Sequence, residues 1–307
     1  MRSDDGVDQA EGLRRLLVLN QTLVVTVVAA KARVGRTSAT INLAAALAHS
    51  GKGVLVLDEN HGPNNLLDCM GLTARHDLLD VAQGKCWLSE AVLTAMGFGI
   101  LPTARAMHAL AKLDQTSQQR LENALSEASD GADVVLVDAA MPDMSRLDDG
   151  RAAIVSPSMA SGAALLIVVE ATPSGITESY ALIKRLALNN TRQQFGIAVN
   201  KAGNEQAAIM VFENMAKVAR RNLSVRLEYL GRIPTNVRHR LQFGKSETED
   251  FSVTASTDAY LELSQKLLRL TMQRDELEGG VSAVIQNLIR RAPPTALARH
   301  YETFSAG

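Results

Sequence analysis

The chain is 307 residues long and 46% hydrophobic, with 32 basic and 33 acidic side chains and a formal net charge of −1. Length and apolar content suffice for one large α/β core or two modest ones, and the balanced charge excludes a global field drawing the protein onto nucleic acid or an anionic membrane. Its two cysteines, Cys69 and Cys86, form no Cys-x-x-Cys pair, which excludes a disulfide framework, a zinc ribbon or a cysteine-ligated cluster and fits a reducing cytosol.

In chain order, residues 1–19 come first, a helical segment carrying Asp4, Asp5, Asp8 and Glu11 before any apolar run. A signal peptide has the opposite order, and nowhere do about 20 apolar residues run uninterrupted, so a cytoplasmic chain is expected. Residues 23–30, Leu-Val-Val-Thr-Val-Val-Ala-Ala, form a continuous β-branched run, as a strand covered by helices on both faces does. Similar runs recur at Val54–Leu57, Val134–Val137, Leu165–Val169 and Ile197–Val199, with helical patterns at Thr37–Ser50 and Ile176–Leu188 between them. This βαβ alternation predicts a doubly wound α/β domain with a mostly parallel sheet over residues 20–273. Gly279-Gly280 and Pro293-Pro294 set off residues 274–307 as an appended helix and tail.

Directly after the first run stands Ala30-Lys31-Ala32-Arg33-Val34-Gly35-Arg36-Thr37-Ser38, followed by an apolar-periodic helix. A phosphate-binding loop has that position: backbone N–H groups and a helix N-terminus surround the phosphates, a basic side chain reaches the terminal ones, and a hydroxyl binds Mg²⁺. Gly35, Arg36 and Thr37 fall in those slots with Ser38 next, while Ala30 stands where the loop's first glycine is expected. On these residues alone, a plain strand–turn–helix remains the alternative.

The segment resembles the deviant Walker A loop of the MinD/ParA class, Lys-Gly-Gly-x-Gly-Lys-Thr, whose extra early lysine falls on Lys31. Two further blocks follow in order. Val54 to Leu66 resembles the Asp-x-Asp segment of the class, with Asp58 and Asn60 at its two acidic positions, and Asp133 to Asp138 resembles Walker B. The resemblance implies a MinD-like P-loop NTPase fold, ATP and Mg²⁺ as ligands, and an ATP-dependent homodimer in which Lys31 reaches the other subunit's phosphates. By the same resemblance Lys31, Gly35, Arg36, Thr37 and Ser38 would hold the nucleotide, and Asn200 would face its adenine. Thr37, Asp58 and Asp138 would hold Mg²⁺ directly or through water; a solvated strand end is the plain alternative for the two aspartates.

The departures from the pattern carry equal weight. Ala32 and Arg33 replace two glycines, which restricts the backbone and obstructs close approach to phosphate. Arg36 presents a broad planar fork where a compact ammonium is expected. Asn60 stands in place of the aspartate that positions the attacking water, and an amide accepts no proton. After Asp138, Ala139-Ala140-Met141 lacks the hydroxyl and glycine of the usual switch region. Each change points to slow or absent hydrolysis.

Asp8-Gln9-Ala10-Glu11-Gly12-Leu13-Arg14 looks like the Asp-Gln-Ala-x-x-Leu-Arg element at the N-terminus of the FlhG (FleN) family, regulators of flagellar number and placement. In that family the element docks on the GTPase FlhF and stimulates it. Asp8, Gln9, Ala10, Leu13 and Arg14 then become partner contacts, with Gln9 orienting water in trans as glutamines do in related GTPases. An amphipathic helix with Leu13, Leu16 and Leu17 packed on the domain is the alternative. Leu78–Lys85, Ser174–Lys184, Val199–Asn200 and Tyr229–Pro234 are similar to further stretches of the family.

Val281, Val284, Ile285, Leu288 and Ile289 repeat at i, i+3, i+4, i+7 and i+8, one face of an amphipathic helix. Beside Arg290-Arg291 this stripe suits a peripheral contact at the inner face of the cell membrane, as in MinD and FlhG, and equally a helix packed on its own domain. The further partners implied by the resemblance are flagellar switch or C-ring components and a flagellar transcription regulator, with no specific nucleic acid. Two rival functions stay open: a ParA- or MinD-type partitioning or division ATPase, against which the N-terminal element argues, and a non-hydrolysing P-loop scaffold, which the altered loop favours.

Overall fold

The first apolar run becomes strand β1 (Leu23–Val28), buried from Val24 to Val28. Its side chains alternate between faces as strand geometry requires. Val25 and Val27 enter a cluster with Leu43, Leu47 and Tyr260, while Val24 enters another with Leu55, Leu125 and Val137. In this computed structural model, residues 22–141, 157–160, 163–190, 193–233, 255–272 and 285–286 are described.

Helix α1 (Arg36–His49) follows β1, and strand β2 (Val54–Asp58) follows α1. Three short helices come next: α2 (Leu66–Met70), α3 (Leu78–Ala82) and α4 (Leu88–Ala91). Side chains fix where the first two start: Asn65 accepts from the Asp68 N–H, and Asp77 accepts from those of Leu79 and Asp80. Strands β3 (Leu93–Ala95) and β4 (Phe98–Pro102) form a hairpin that the apolar runs do not announce. Helix α5 (Ala104–Ala109), a 3₁₀ turn and α6 (Gln115–Ser129), capped by Asp114, lead to β5 (Val134–Asp138). The later half holds the short α7 (Pro157–Ala160), β6 (Ala164–Glu170), α8 (Pro173–Asn190), β7 (Gln194–Asn200), α9 (Glu205–Leu223), β8 (Arg226–Ile233) and α10 (Ala255–Met272).

The strands form one sheet in the order β3-β4-β2-β5-β1-β6-β7-β8. Its strand pairs are parallel apart from the β3–β4 hairpin. The expected doubly wound, mostly parallel α/β domain is therefore what forms, with β1 between β5 and β6. Ligands in such sheets gather beyond the carboxyl ends of the strands, where the order of connections reverses. Register decides which side chains meet there: Asp58 is paired with Asp138, Val27 with Asp138, and Glu170 with Asn200.

Helix α10 closes the domain by sending Tyr260, Leu263 and Leu267 into the cluster shared by β1 and α1. The element Asp8–Arg14 and the stripe residues Val281, Val284, Leu288 and Ile289 lie outside the described residues. Ile285 is described and buried, within the cluster that contains Leu55, Leu57 and Val135. Its burial supports the domain-packing alternative at that one position. Among the described residues no helix is long and apolar enough to cross a membrane.

Candidate functional site

Helix α1 begins on Gly35, whose φ of 97° lies in the left-handed region that favours glycine. Space demands glycine as well. A Cβ there would fall 2.4 Å from Nδ2 of Asn200. That nitrogen donates to the Val34 carbonyl at 2.7 Å, and the Asn200 oxygen accepts from the Lys201 N–H. The expected adenine-facing asparagine thus braces the loop from below, with both ends of its amide engaged by protein.

The arginine in the Walker lysine slot is turned inward. Arg36 Nε lies 2.8 Å from Asp138 Oδ1 and its Nη2 3.4 Å from Oδ2, with the side chains only 7% and 0% exposed. Thr37 Oγ1 donates to Asp138 Oδ2 at 2.8 Å, Thr40 Oγ1 to Oδ1 at 3.2 Å, and Asn60 Nδ2 to Oδ2 at 3.2 Å. One carboxylate therefore collects four donors from Arg36, Thr37 and Asn60, as many as its lone pairs accommodate, and competes with the Arg36 carbonyl, 3.1 Å away, for the single proton of Thr40. The residues that were to hold phosphate, metal and water, namely Arg36, Thr37, Asp138 and Asn60, are brought together as expected, but onto each other.

Asp58 sits beside this cluster and is 2% exposed. Its oxygens accept from the backbone N–H groups of Asn60 at 3.0 Å and Leu66 at 3.1 Å. Burial first, and the neighbouring Asp138 second, push its carboxyl up to about 7, despite those two bonds and Arg36. The folded chain then binds a proton that the unfolded chain, with an ordinary value of 3.8, has released. Stability should accordingly fall as pH rises from about 4 to about 7, by an amount on the order of a few kcal/mol, and level off above. Urea unfolding at pH 5 and pH 8 measures this. Asp58→Asn should flatten the slope, even though losing one acceptor adds a pH-independent cost; an unchanged slope in that variant would assign the pH dependence elsewhere.

The early lysine, Lys31, also faces its own chain. Its Nζ lies 3.0 Å from Glu170 Oε2 and donates to Ser174 Oγ at 3.1 Å. Ser38 has an exposed side chain, and its carbonyl accepts from Asn42 Nδ2. Motif matching missed four participants: Thr40, Glu170, Lys201 and Glu59. The last is buried and accepts from the Ser158 hydroxyl and the Ala140 N–H. Glu170 and Lys201 had one available signal, their place just at or after the carboxyl ends of apolar strands neighbouring the loop.

A family model described as an AAA domain matches residues 22–197. The chain is 32% identical over 258 residues to the antiactivator FleN of Pseudomonas aeruginosa, covering 83% of this chain and 89% of that one. It belongs to the FleN family. That places it among the MinD/ParA-class P-loop ATPases, and solved structures agree on the fold. The MinD cell division protein of Aquifex aeolicus matches with a TM-score of 0.54 at 22% identity, over 81% of this chain and 98% of that one. Cobyrinic acid a,c-diamide synthase of Mycobacterium smegmatis, solved with ADP and magnesium, matches with a TM-score of 0.55 at 18% identity, over 82% and 96%.

Magnesium is a ligand in that mycobacterial structure. Mg²⁺ demands near-octahedral oxygen coordination at about 2.1 Å and gives up its waters reluctantly. Here a guanidinium lies against the Asp138 oxygens, which also accept from Thr37 and Asn60, while Thr37, having donated its proton, keeps oxygen lone pairs that a cation could use. Asp58 accepts one backbone N–H on each oxygen, and burial favours its protonated form, a shift that a bound cation would oppose. Thr37 and the two aspartates supply the oxygens a magnesium ion takes, and the guanidinium lying on Asp138 is the one feature of the arrangement that opposes it. Admitting the metal would require Arg36 to give up Asp138, with the dication taking over compensation of that buried carboxylate.

Proposed function

We propose that this FleN-family chain regulates flagellar number and placement through protein contacts, with a phosphate loop that takes up nucleotide without turning it over. The observation that carries the reading is the buried Arg36–Asp138 pair. It turns Nε and Nη2 of the cation that would stabilise charge on a transferring phosphoryl group onto Asp138, leaving Nη1 buried without a partner, and it occupies the carboxylate that would organise Mg²⁺. Asn60 adds to this, since its amide donates to Asp138 and leaves no base for water. The test pairs calorimetric titration of ATP, in Mg²⁺ and in EDTA, with malachite-green detection of released phosphate. Binding heat that survives EDTA, with phosphate release at the buffer level, is expected. Turnover matching that of a MinD relative would sink the proposal.

The finer parts of the reading concern partners. The similarity to FleN and the element Asp8–Arg14 support stimulation of an FlhF-type GTPase, and Lys31 supports nucleotide-dependent pairing of two copies. A flagellar transcription regulator and C-ring components follow as further partners from the same family. Pairing is checked by light scattering with and without ATP; a monomer under both conditions would leave the GTPase contact as the output.

A further inference from the structure

Glu170, the last residue of β6, receives two ammonium groups at once. Lys201 Nζ lies 2.8 Å from Oε1, and Lys31 Nζ lies 3.0 Å from Oε2. Lys201 Nζ also donates to the Arg33 carbonyl at 2.9 Å, so a single carboxylate ties the start and middle of the phosphate loop to the ends of β6 and β7. Arg33 and Lys201 have φ values of 61° and 59°, left-handed conformations in residues other than glycine. Such backbone is strained and persists where neighbouring contacts over-determine it; here the same ammonium joins the two. Gly175 completes the arrangement, since a Cβ there would lie 2.6 Å from the Glu170 carbonyl. Its absence lets the start of α8 come close enough for Ser174 to meet Lys31. The Lys201 and Lys31 hydrogen bonds hold the Glu170 carboxyl below the usual carboxylate range.

We propose that Glu170 is a built-in anion that competes with a polyphosphate for Lys31 and Lys201, setting the affinity of the loop for triphosphate groups and keeping Lys31 folded onto its own chain until one arrives. The proposal rests on the reading that this loop takes up nucleotide. Arg36 has turned Nε and Nη2 to Asp138, with Nη1 left buried without a partner, whereas Lys31 and Lys201 already hold an anion, Glu170, at the loop. The side chains are 14%, 30% and 44% exposed for Glu170, Lys31 and Lys201, so water screens the cluster enough for it to open. A triphosphate brings more negative charge and more acceptor oxygens than one carboxylate, and so displaces it. Uptake of the ligand and release of Lys31 are then one equilibrium, shifted by the difference in affinity between the two arrangements.

The experiment uses the full chain and inorganic tripolyphosphate in EDTA, followed by calorimetry. Glu170→Gln keeps the shape and removes the charge, and should tighten binding about 10- to 100-fold. Glu170→Asp keeps the charge on a shorter stem and should fall between the two; it carries the comparison should the glutamine variant fail to fold. Glu178→Gln, whose carboxylate lies 4.0 Å from Lys31, should change affinity less than about twofold. A second readout needs no ligand: amine labelling of Lys31 and Lys201, read by peptide mass spectrometry, should be faster in the glutamine variant, and tripolyphosphate should protect both lysines. Equal affinities and labelling across wild type and both Glu170 variants would overturn the proposal, as would the absence of tripolyphosphate binding in all of them. Phosphate release from ATP would instead contradict the non-turnover reading and leave the affinity ratio standing.

Discussion

Arg36→Met should destabilise the chain by about 3–5 kcal/mol, the range seen when one partner of a buried ion pair is removed. The loss arises less from the missing attraction than from what remains. Asp138 has no exposed surface, and after the substitution its charge would be held by the hydroxyls of Thr37 and Thr40 and the amide of Asn60 alone. In a domain of this size the midpoint of thermal unfolding should drop by roughly 10 °C. Adding Asp138→Asn to Arg36→Met removes the stranded charge and should recover much of the loss, and the difference between double and single variants measures the coupling. Arg36→Lys should fall between, keeping a charge without the fork that serves both carboxylate oxygens. Combining it with Asn60→Asp, Ala32→Gly and Arg33→Gly should bring Mg²⁺-dependent phosphate release above the wild-type level. A loss below about 1 kcal/mol in Arg36→Met would show that the pair opens freely, and the argument against a metal there would fall with it.

Strands β1, β2, β5, β6 and β7 were legible because each is a β-branched run buried on both faces, which periodicity detects directly. The β3–β4 hairpin was not. Its turn is Met96-Gly97 with φ values of 52° and 80°, and a methionine in the first left-handed position hides the Asn-Gly or Asp-Gly signal that marks such turns. At the site, motif spacing located Gly35, Arg36, Thr37, Asp58, Asn60 and Asp138 at one end of the sheet, since strand ends converge there in any doubly wound domain. It could not show that Arg36 points at Asp138 in place of a phosphate. That direction depends on the β1–β5 register and on the burial of Asp138, which no local pattern encodes. Glu170 was invisible for a related reason: an acid ending a strand reads as solvated until the β6–β7 register sets it beside Asn200 and the left-handed Lys201 folds back over it.

A peptide of residues 1–20 should accelerate GTP hydrolysis by the cognate FlhF-type GTPase, whatever the state of the phosphate loop. All five specified positions of the family element are present as Asp8, Gln9, Ala10, Leu13 and Arg14, while the loop itself is altered at Ala32, Arg33 and Arg36. The residues expected to activate the GTPase and those expected to hold nucleotide do not overlap in the sequence. A glutamine that orients water acts on the transition state, so Gln9→Ala should lower the stimulated turnover by about 10²-fold, the scale on which misplacing a reactant reduces rate, with little change in apparent affinity. Docking would remain with Leu13 and Arg14, whose replacement should raise the peptide concentration needed for half-stimulation. Deleting residues 1–20 should leave nucleotide binding unchanged, because β1 is anchored downstream of the cut: Thr22 Oγ1 donates to the Ala132 carbonyl at 2.8 Å and the Leu23 N–H to that of Asp133 at 2.9 Å. Stopped-flow phosphate release with wild-type and Gln9→Ala peptides decides the matter. A peptide that binds without accelerating, or a Gln9→Ala peptide as active as wild type, would return this segment to a helix that packs Leu13, Leu16 and Leu17 on its own domain.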